Sequence, residues 1–177
     1  MMKTPVRVLL ILVLMAFLLV MACCTNLAER GTQAGGSPPV ITHSFASEKL
    51  SHGDTWKIYV EAHDPDGDMR QFVCTVRRTG FGSRVDYVHV RKGDRAKMLG
   101  YLNVFVSPPQ DALGEWADLT LTLYIRDRGG NPSEKVAFPV ALSRGVKQAL
   151  PPPPFDIEGL KGLGQIWVKL HVPRGGP

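Results

Sequence analysis

Thr55-Trp56-Lys57-Ile58-Tyr59-Val60-Glu61-Ala62-His63 is the stretch that decides the fold. Trp56, Ile58, Val60 and Ala62 fall on one side of an extended chain, and Lys57, Tyr59, Glu61 and His63 fall on the other. A repeat of two is the signature of a strand with one face in a core and one in water, and no helical period competes with it. Working outward, the same alternation buries Phe72, Cys74 and Val76 within Met69 to Arg78. It buries Leu119, Leu121, Leu123 and Ile125 within Leu119 to Asp127, and Val136, Phe138, Val140 and Leu142 within Lys135 to Leu142. Three further runs, Val40 to Phe45, Asp86 to Val90 and Lys97 to Val106, complete a set of seven short strands broken by Gly, Pro, Asp and Asn. The expected fold is all-β, two sheets packed face to face over residues 39–143. Burying one large apolar side chain is worth about 1.5–3 kcal/mol, so this stretch carries enough apolar surface to fold alone.

Polar loops punctuate these strands. Ala62-His63-Asp64-Pro65-Asp66-Gly67-Asp68 follows the second, and Tyr124-Ile125-Arg126-Asp127 with Gly130-Asn131-Pro132-Ser133 links the last two. On these residues, stretch 39–143 resembles the bacterial immunoglobulin-like, cadherin-like and PKD-type extracellular modules. The antibody-type tryptophan and cysteine pair are missing, because Cys74 has no partner on the sixth strand. The resemblance implies an immunoglobulin-like antiparallel sandwich. In that topology the second-to-third and sixth-to-seventh connections share the end at which the first strand begins. Asp64, Asp66, Asp68, Asp127 and Asn131 are therefore expected to gather there, joined by Arg91-Lys92-Gly93-Asp94-Arg95.

Two readings of that cluster stand side by side. A D-x-D-x-D run can supply several of the six to eight oxygens that calcium takes. As an EF-hand it fails, with Met69 where glycine is required and Thr75 in place of the closing glutamate. Cadherins use comparable loops at domain junctions, but no second domain of that kind is visible in this chain. The plainer reading is a set of structural turns neutralised by Arg91, Lys92, Arg95, Arg126 and Arg128. No other metal or cofactor is expected.

The opposite end carries Arg77, Arg78, Phe81 and Arg84 in one loop and Trp116 in another. Aromatic and arginine side chains are what binding hot spots favour, so these five are the candidate partner surface for an envelope protein or a glycan. A solvated hairpin tip with Trp116 folded back as a lid is the alternative. Cys74 reads as a small buried hydrophobe.

The N-terminus is an address. Lys3 and Arg7 precede an apolar run, Val8 to Ala22, too short for a comfortable span and typical of a secretory signal. Val20-Met21-Ala22-Cys23 resembles a bacterial lipobox, which implies cleavage after residue 22 and a Cys23 carrying diacylglycerol and an N-acyl chain, against the competing readings of an ordinary secretory signal and an uncleaved anchor. Residues 23–38 then form a lipidated flexible tether holding the protein to the bilayer. The resemblance places it as a membrane lipoprotein facing periplasm or exterior, with the outer membrane favoured over the inner in a diderm cell. Without Lys3 and Arg7 the formal charge of +5 becomes +3. A mildly basic, mixed-sign surface outside the cytoplasm argues against nucleic acid as a partner.

Residues 144–154, with Pro151 to Pro154, read as a stiff linker. Residues 155–177 read as a β extension in which Ile166, Val168, Leu170 and Val172 oppose Trp167, Lys169 and His171, with Phe155 to Ile157 as a hairpin mate. A lone hairpin is marginal in water, so this strand must dock on the sandwich or pair with another protein. No G-x-S-x-G, H-E-x-x-H or P-loop is present, and the histidines lack metal spacing. The expected function is a non-catalytic binding or structural module of the bacterial envelope. A calcium-dependent adhesin-like module and a small envelope hydrolase or its accessory domain are the alternatives.

Overall fold

The computed structural model describes residues 35–78, 83–107 and 117–169. The expected strands form at β1 (Val40–Ala46), β3 (Thr55–His63), β4 (Met69–Arg78), β5 (Arg84–His89), β6 (Lys97–Ser107), β7 (Ala117–Asp127) and β8 (Val136–Leu142). Two more join them among the described residues, β2 (Lys49–Leu50) and β9 (Lys161–Lys169). One sheet has the order β1-β3-β6-β9 and the other β2-β8-β7-β4-β5. The only helical piece described is a single 3₁₀ turn, Lys92–Asp94, and no helix among the described residues is long and apolar enough to cross a membrane.

The expectation of a purely antiparallel sandwich is corrected at two pairs. β2 lies parallel to β8, and β9 lies parallel to β6, so both sheets are mixed. In each case the connection is the cause. The chain passes from β1 to β2 through Ser47 and Glu48, changing sheets without reversing direction. β9 is reached by a crossover spanning residues 143–160, long enough to bring the chain back parallel.

Alternation places the core as expected. Trp56, Ile58, Val60 and Ala62 of β3 are buried with Phe72, Cys74 and Val76 of β4 and Leu119, Leu121, Leu123 and Ile125 of β7. Met98, Leu102 and Val104 of β6 and Phe138, Val140 and Leu142 of β8 belong to the same cluster. Trp56 is 1% exposed, and its indole N–H donates to the Ser47 carbonyl at 2.9 Å, at the point where the chain changes sheets. The Ser47 hydroxyl donates to the Lys49 carbonyl at 2.8 Å and accepts the Ala149 N–H at 3.0 Å, so one buried serine ties β1, β2 and the crossover together. Cys74 is buried, and burial first and the Asp86 charge second push its thiol up to about 12, leaving it an inert apolar group.

The C-terminal strand docks on its own sandwich. Ile166 and Val168 enter the core while Trp167 remains 53% exposed and stacks on Phe105 with ring centroids 4.4 Å apart. Leu170, His171 and Val172 lie outside the described residues. The expected hairpin mate is corrected: β9 pairs with β6, and Phe155 packs instead against Tyr59 on the outer face of β3, centroids 5.5 Å apart. The register slips between Tyr101 and Leu102, which face Gly162 and Gly164, and the skipped Leu163 turns into the core. Two glycines admit this strand. A Cβ on Gly100 would strike the Lys161 carbonyl, and one on Gly164 would strike Val88 of β5, where the two sheets meet at their edge. Gly164→Ala is therefore expected to destabilise the protein by about 1–3 kcal/mol in denaturant unfolding, as overpacking does. Gly162→Ala, whose Cβ would have only Tyr101 nearby at 3.9 Å, should leave the midpoint unchanged; equal effects would contradict this packing.

Candidate cation site

Three strand ends converge at one end of the sandwich. Asp64 follows β3, and its N–H donates to the Ala96 carbonyl at 2.9 Å just before β6. Its Oδ1 accepts the N–H of Asp66 at 2.9 Å and of Gly67 at 3.2 Å, an Asx-type turn closed by Gly67 at φ 69°. Asp68 leads into β4, and its carbonyl accepts the Arg128 N–H at 3.2 Å, which ties this loop to the one after β7. Asp127 ends β7. Its Oδ1 accepts the Asn131 N–H and its Oδ2 accepts from the Asn131 side-chain amide, each at 2.7 Å, while its own N–H donates to the Asn131 carbonyl.

Asp64, Asp68 and Asp127 each bring one carboxylate oxygen within 4.8 Å of the others. Asp64 is 4% exposed and Asp127 2%. Asp64 Oδ2 and Asp68 Oδ1 are shielded from water without a hydrogen-bond partner. Two like charges about 4–5 Å apart repel by about 4 kcal/mol at an effective dielectric near 20, and a buried acceptor left unpaired adds to that cost. Burial, then the charges of Asp127 and Asp64, with the closeness of the Asp64 carboxyl and the charge of Asp66 behind them, raise the Asp68 carboxyl above its ordinary range. Among the described residues no salt bridge joins Arg91, Lys92, Arg95, Arg126 or Arg128 to these carboxylates. The turns of the plainer reading form, but without the expected basic partners among the described residues, and strand parity explains it. Asp127 continues the inward column of Leu123 and Ile125, whereas Arg126 turns outward, donates to the Tyr124 hydroxyl at 3.1 Å and lies over that ring. Asp94 is already engaged by Lys161 of β9.

A hard dication fits this donor set. Calcium–oxygen distances are about 2.3–2.6 Å, so ligand oxygens on one ion stand at most about 5 Å apart, which matches the spacing of the three carboxylates. Asp66 and Asn131 have other roles. Asp66 Oδ2 accepts the Ser37 N–H from the chain entering β1, and Asn131 positions Asp127. Gly35 and Gly36 border the same place: a Cβ on Gly129 would stand 2.9 Å from the Gly35 carbonyl oxygen and 3.4 Å from Asp127 Oδ1. The composition of the loops pointed to the aspartates, but the part played by residues 35–37 carried no signal beyond their glycines.

Of the distal candidates, Arg77 and Arg78 close β4, and Arg84 opens β5 and pairs with Asp86 at 3.3 Å. Phe81 and Trp116 lie outside the described residues, as does Cys23 with the whole of the signal. A surface that alternation did not reveal lies on the outer face of β3 and β6. There the crossover folds back and encloses a groove of about 480 Å³ beside Lys57, Tyr59, Tyr101, Leu150 and Ile157. Tyr59 stands 5.9 Å from Tyr101 and 6.1 Å from Phe45, and the Lys57 ammonium sits 4.6 Å over the Tyr101 ring. No protein-family model matches the chain, and no curated protein shows significant similarity to it.

The raised Asp68 carboxyl predicts a pH dependence with a definite sign. An acid whose folded value exceeds its unfolded one has no effect below both values and costs stability as pH rises through the folded value, because the folded form holds the extra proton. In chelator, this group is expected to lower the melting midpoint as pH climbs from its ordinary value of 3.8. Asp68→Asn should flatten that part of the profile. Superimposable wild-type and Asp68→Asn profiles would contradict the assignment.

Proposed function

We propose that this protein is a non-catalytic module of the bacterial cell envelope: an immunoglobulin-like β-sandwich carried on a lipid-anchored tether and stabilised by a calcium ion at the end where that tether joins it. The observation that carries the calcium part is the meeting of Asp64, Asp68 and Asp127, with buried oxygens of Asp64 and Asp68 lacking partners and, among the described residues, no basic side chain paired to them. A folded chain holds such a group because something positive occupies it or because the rest of the fold absorbs its repulsion. The donor chemistry, oxygen only, favours calcium over a transition metal. The anchoring part rests on Lys3, Arg7, the apolar run to Ala22 and Cys23. Calcium sites of extracellular modules work at about 10⁻⁴–10⁻³ M, the range in which an ion outside the cytoplasm is structural rather than a signal.

The groove beside Tyr59 and Tyr101 favours a binding role for the outer face of the β1-β3-β6-β9 sheet, in place of a purely structural one. Its lining is apolar with a few charged groups at the rim, the usual composition of a ligand or peptide site.

Thermal melts in chelator and in millimolar calcium test the first reading. Calcium at about ten times its Kd stabilises by about 1.4 kcal/mol, which for a domain of this size is a shift of roughly 5 °C. Asp127→Asn should abolish the shift. Midpoints that coincide with and without calcium would end the calcium reading. For the anchor, Cys23→Ser is expected to move the protein from the membrane fraction to the soluble one; retention in the membrane would exclude lipidation as the attachment.

A further inference from the structure

We propose that the Gly35 carbonyl is a ligand of the cation held by Asp64, Asp68 and Asp127, so that calcium occupancy locks the root of the tether onto the sandwich. This rests on the calcium reading above and adds a moving part to it. Calcium requires six to eight oxygens, and three carboxylates leave neutral oxygens to be found. The Gly35 carbonyl borders the same small space over Gly129 as Asp127 Oδ1. Asn131, which orients Asp127, bounds that space too, its side-chain nitrogen 3.1 Å from the Cβ position of Gly129.

The chain is turned into this position by Gly36, whose φ of 119° suits a residue without a side chain, and whose absent Cβ would stand 3.0 Å from Asp66 Oδ2. The next residue, Ser37, donates its N–H to that same oxygen. Pro38 and Pro39 follow with no N–H to satisfy, and β1 begins at Val40. The run Asp64, Asp66, Asp68 therefore divides its labour. Asp64 and Asp68 face the ion, while Asp66 pins the incoming backbone. Removing the ion restores the mutual repulsion of the three carboxylates and takes from Gly35 its reason to stay. Release of residues 35–39 lengthens the leash by up to about 17 Å, at roughly 3.3–3.6 Å per residue. Calcium thereby sets whether residues 35–39 are held on the sandwich or released from it.

Hydrogen exchange at the Gly36 and Ser37 amides, measured on the full chain with calcium and with chelator, reads the lock directly, since neither Pro38 nor Pro39 has an amide to confuse the signal. Calcium is expected to slow both amides at least tenfold. Calorimetric titration of Gly129→Ala with calcium supplies the second reading. Its new Cβ pushes on the Gly35 carbonyl without removing a carboxylate, so calcium affinity should fall about tenfold while the melting midpoint in chelator stays near wild type. If the wild type binds calcium but the Gly36 and Ser37 amides exchange at the same rate with and without it, the lock is wrong and the calcium site stands. Unchanged affinity in Gly129→Ala removes Gly35 as a ligand in the same way. If the wild type takes up no calcium, the calcium reading fails and the lock with it.

Discussion

The inner faces of the two sheets can leave water only by covering one another, and Trp56 sits where that closure is decided. Among the described residues it is the largest fully buried side chain, and its one polar atom is satisfied by the Ser47 carbonyl, at the point where the chain crosses from one sheet to the other. A buried indole N–H without an acceptor costs about 1–3 kcal/mol, so the crossing is held where the indole needs it. β1 and β2 then occupy edges of opposite sheets, and Ser47 reaches the crossover through Ala149. That crossover in turn delivers β9 to the free edge of β6, filling the last exposed edge of the first sheet's core side with Leu163, Ile166 and Val168.

The carboxylate cluster is a by-product of the same parity. Inward columns do not stop where the apolar residues stop. Val60 and Ala62 are continued by Asp64, and Leu123 and Ile125 by Asp127, so acids are carried to the closed end of the core and buried there. The adjacent positions turn outward, which is why Arg126 reaches Tyr124 and leaves Asp127 to Asn131. Repulsion built into a folded end is a cost that a cation removes. The cluster lies against residues 35–37, the segment that leads into β1.

Much of this was legible in the chain. Period two in Thr55–His63 and its counterparts identified the strands, their inward faces and the buried Cys74, because alternation reports burial directly. The gathering of Asp64, Asp66, Asp68, Asp127 and Asn131 followed from a topology inferred by resemblance. What was not legible depends on contacts between segments far apart in the chain. The parallel pairings of β2 and β9 follow from where the connections run, and the inward turn of Leu163 from a slip in register beside two glycines. The groove at Tyr59 exists because residues 144–160 return over an outward face that alternation alone assigns to water. Which carboxylate oxygens stay free depends on the hydrogen bonds of the turns, and no sequence pattern reports those.

Whether the three carboxylates hold a dication decides how this end of the sandwich is stabilised. Calorimetric titration of the full chain with calcium, set beside Asp64→Asn, measures that most directly. The wild type is expected to bind a single ion in the submillimolar to millimolar range, and Asp64→Asn to lose at least tenfold in affinity. No heat up to several millimolar calcium, or equal binding by the two proteins, would contradict this.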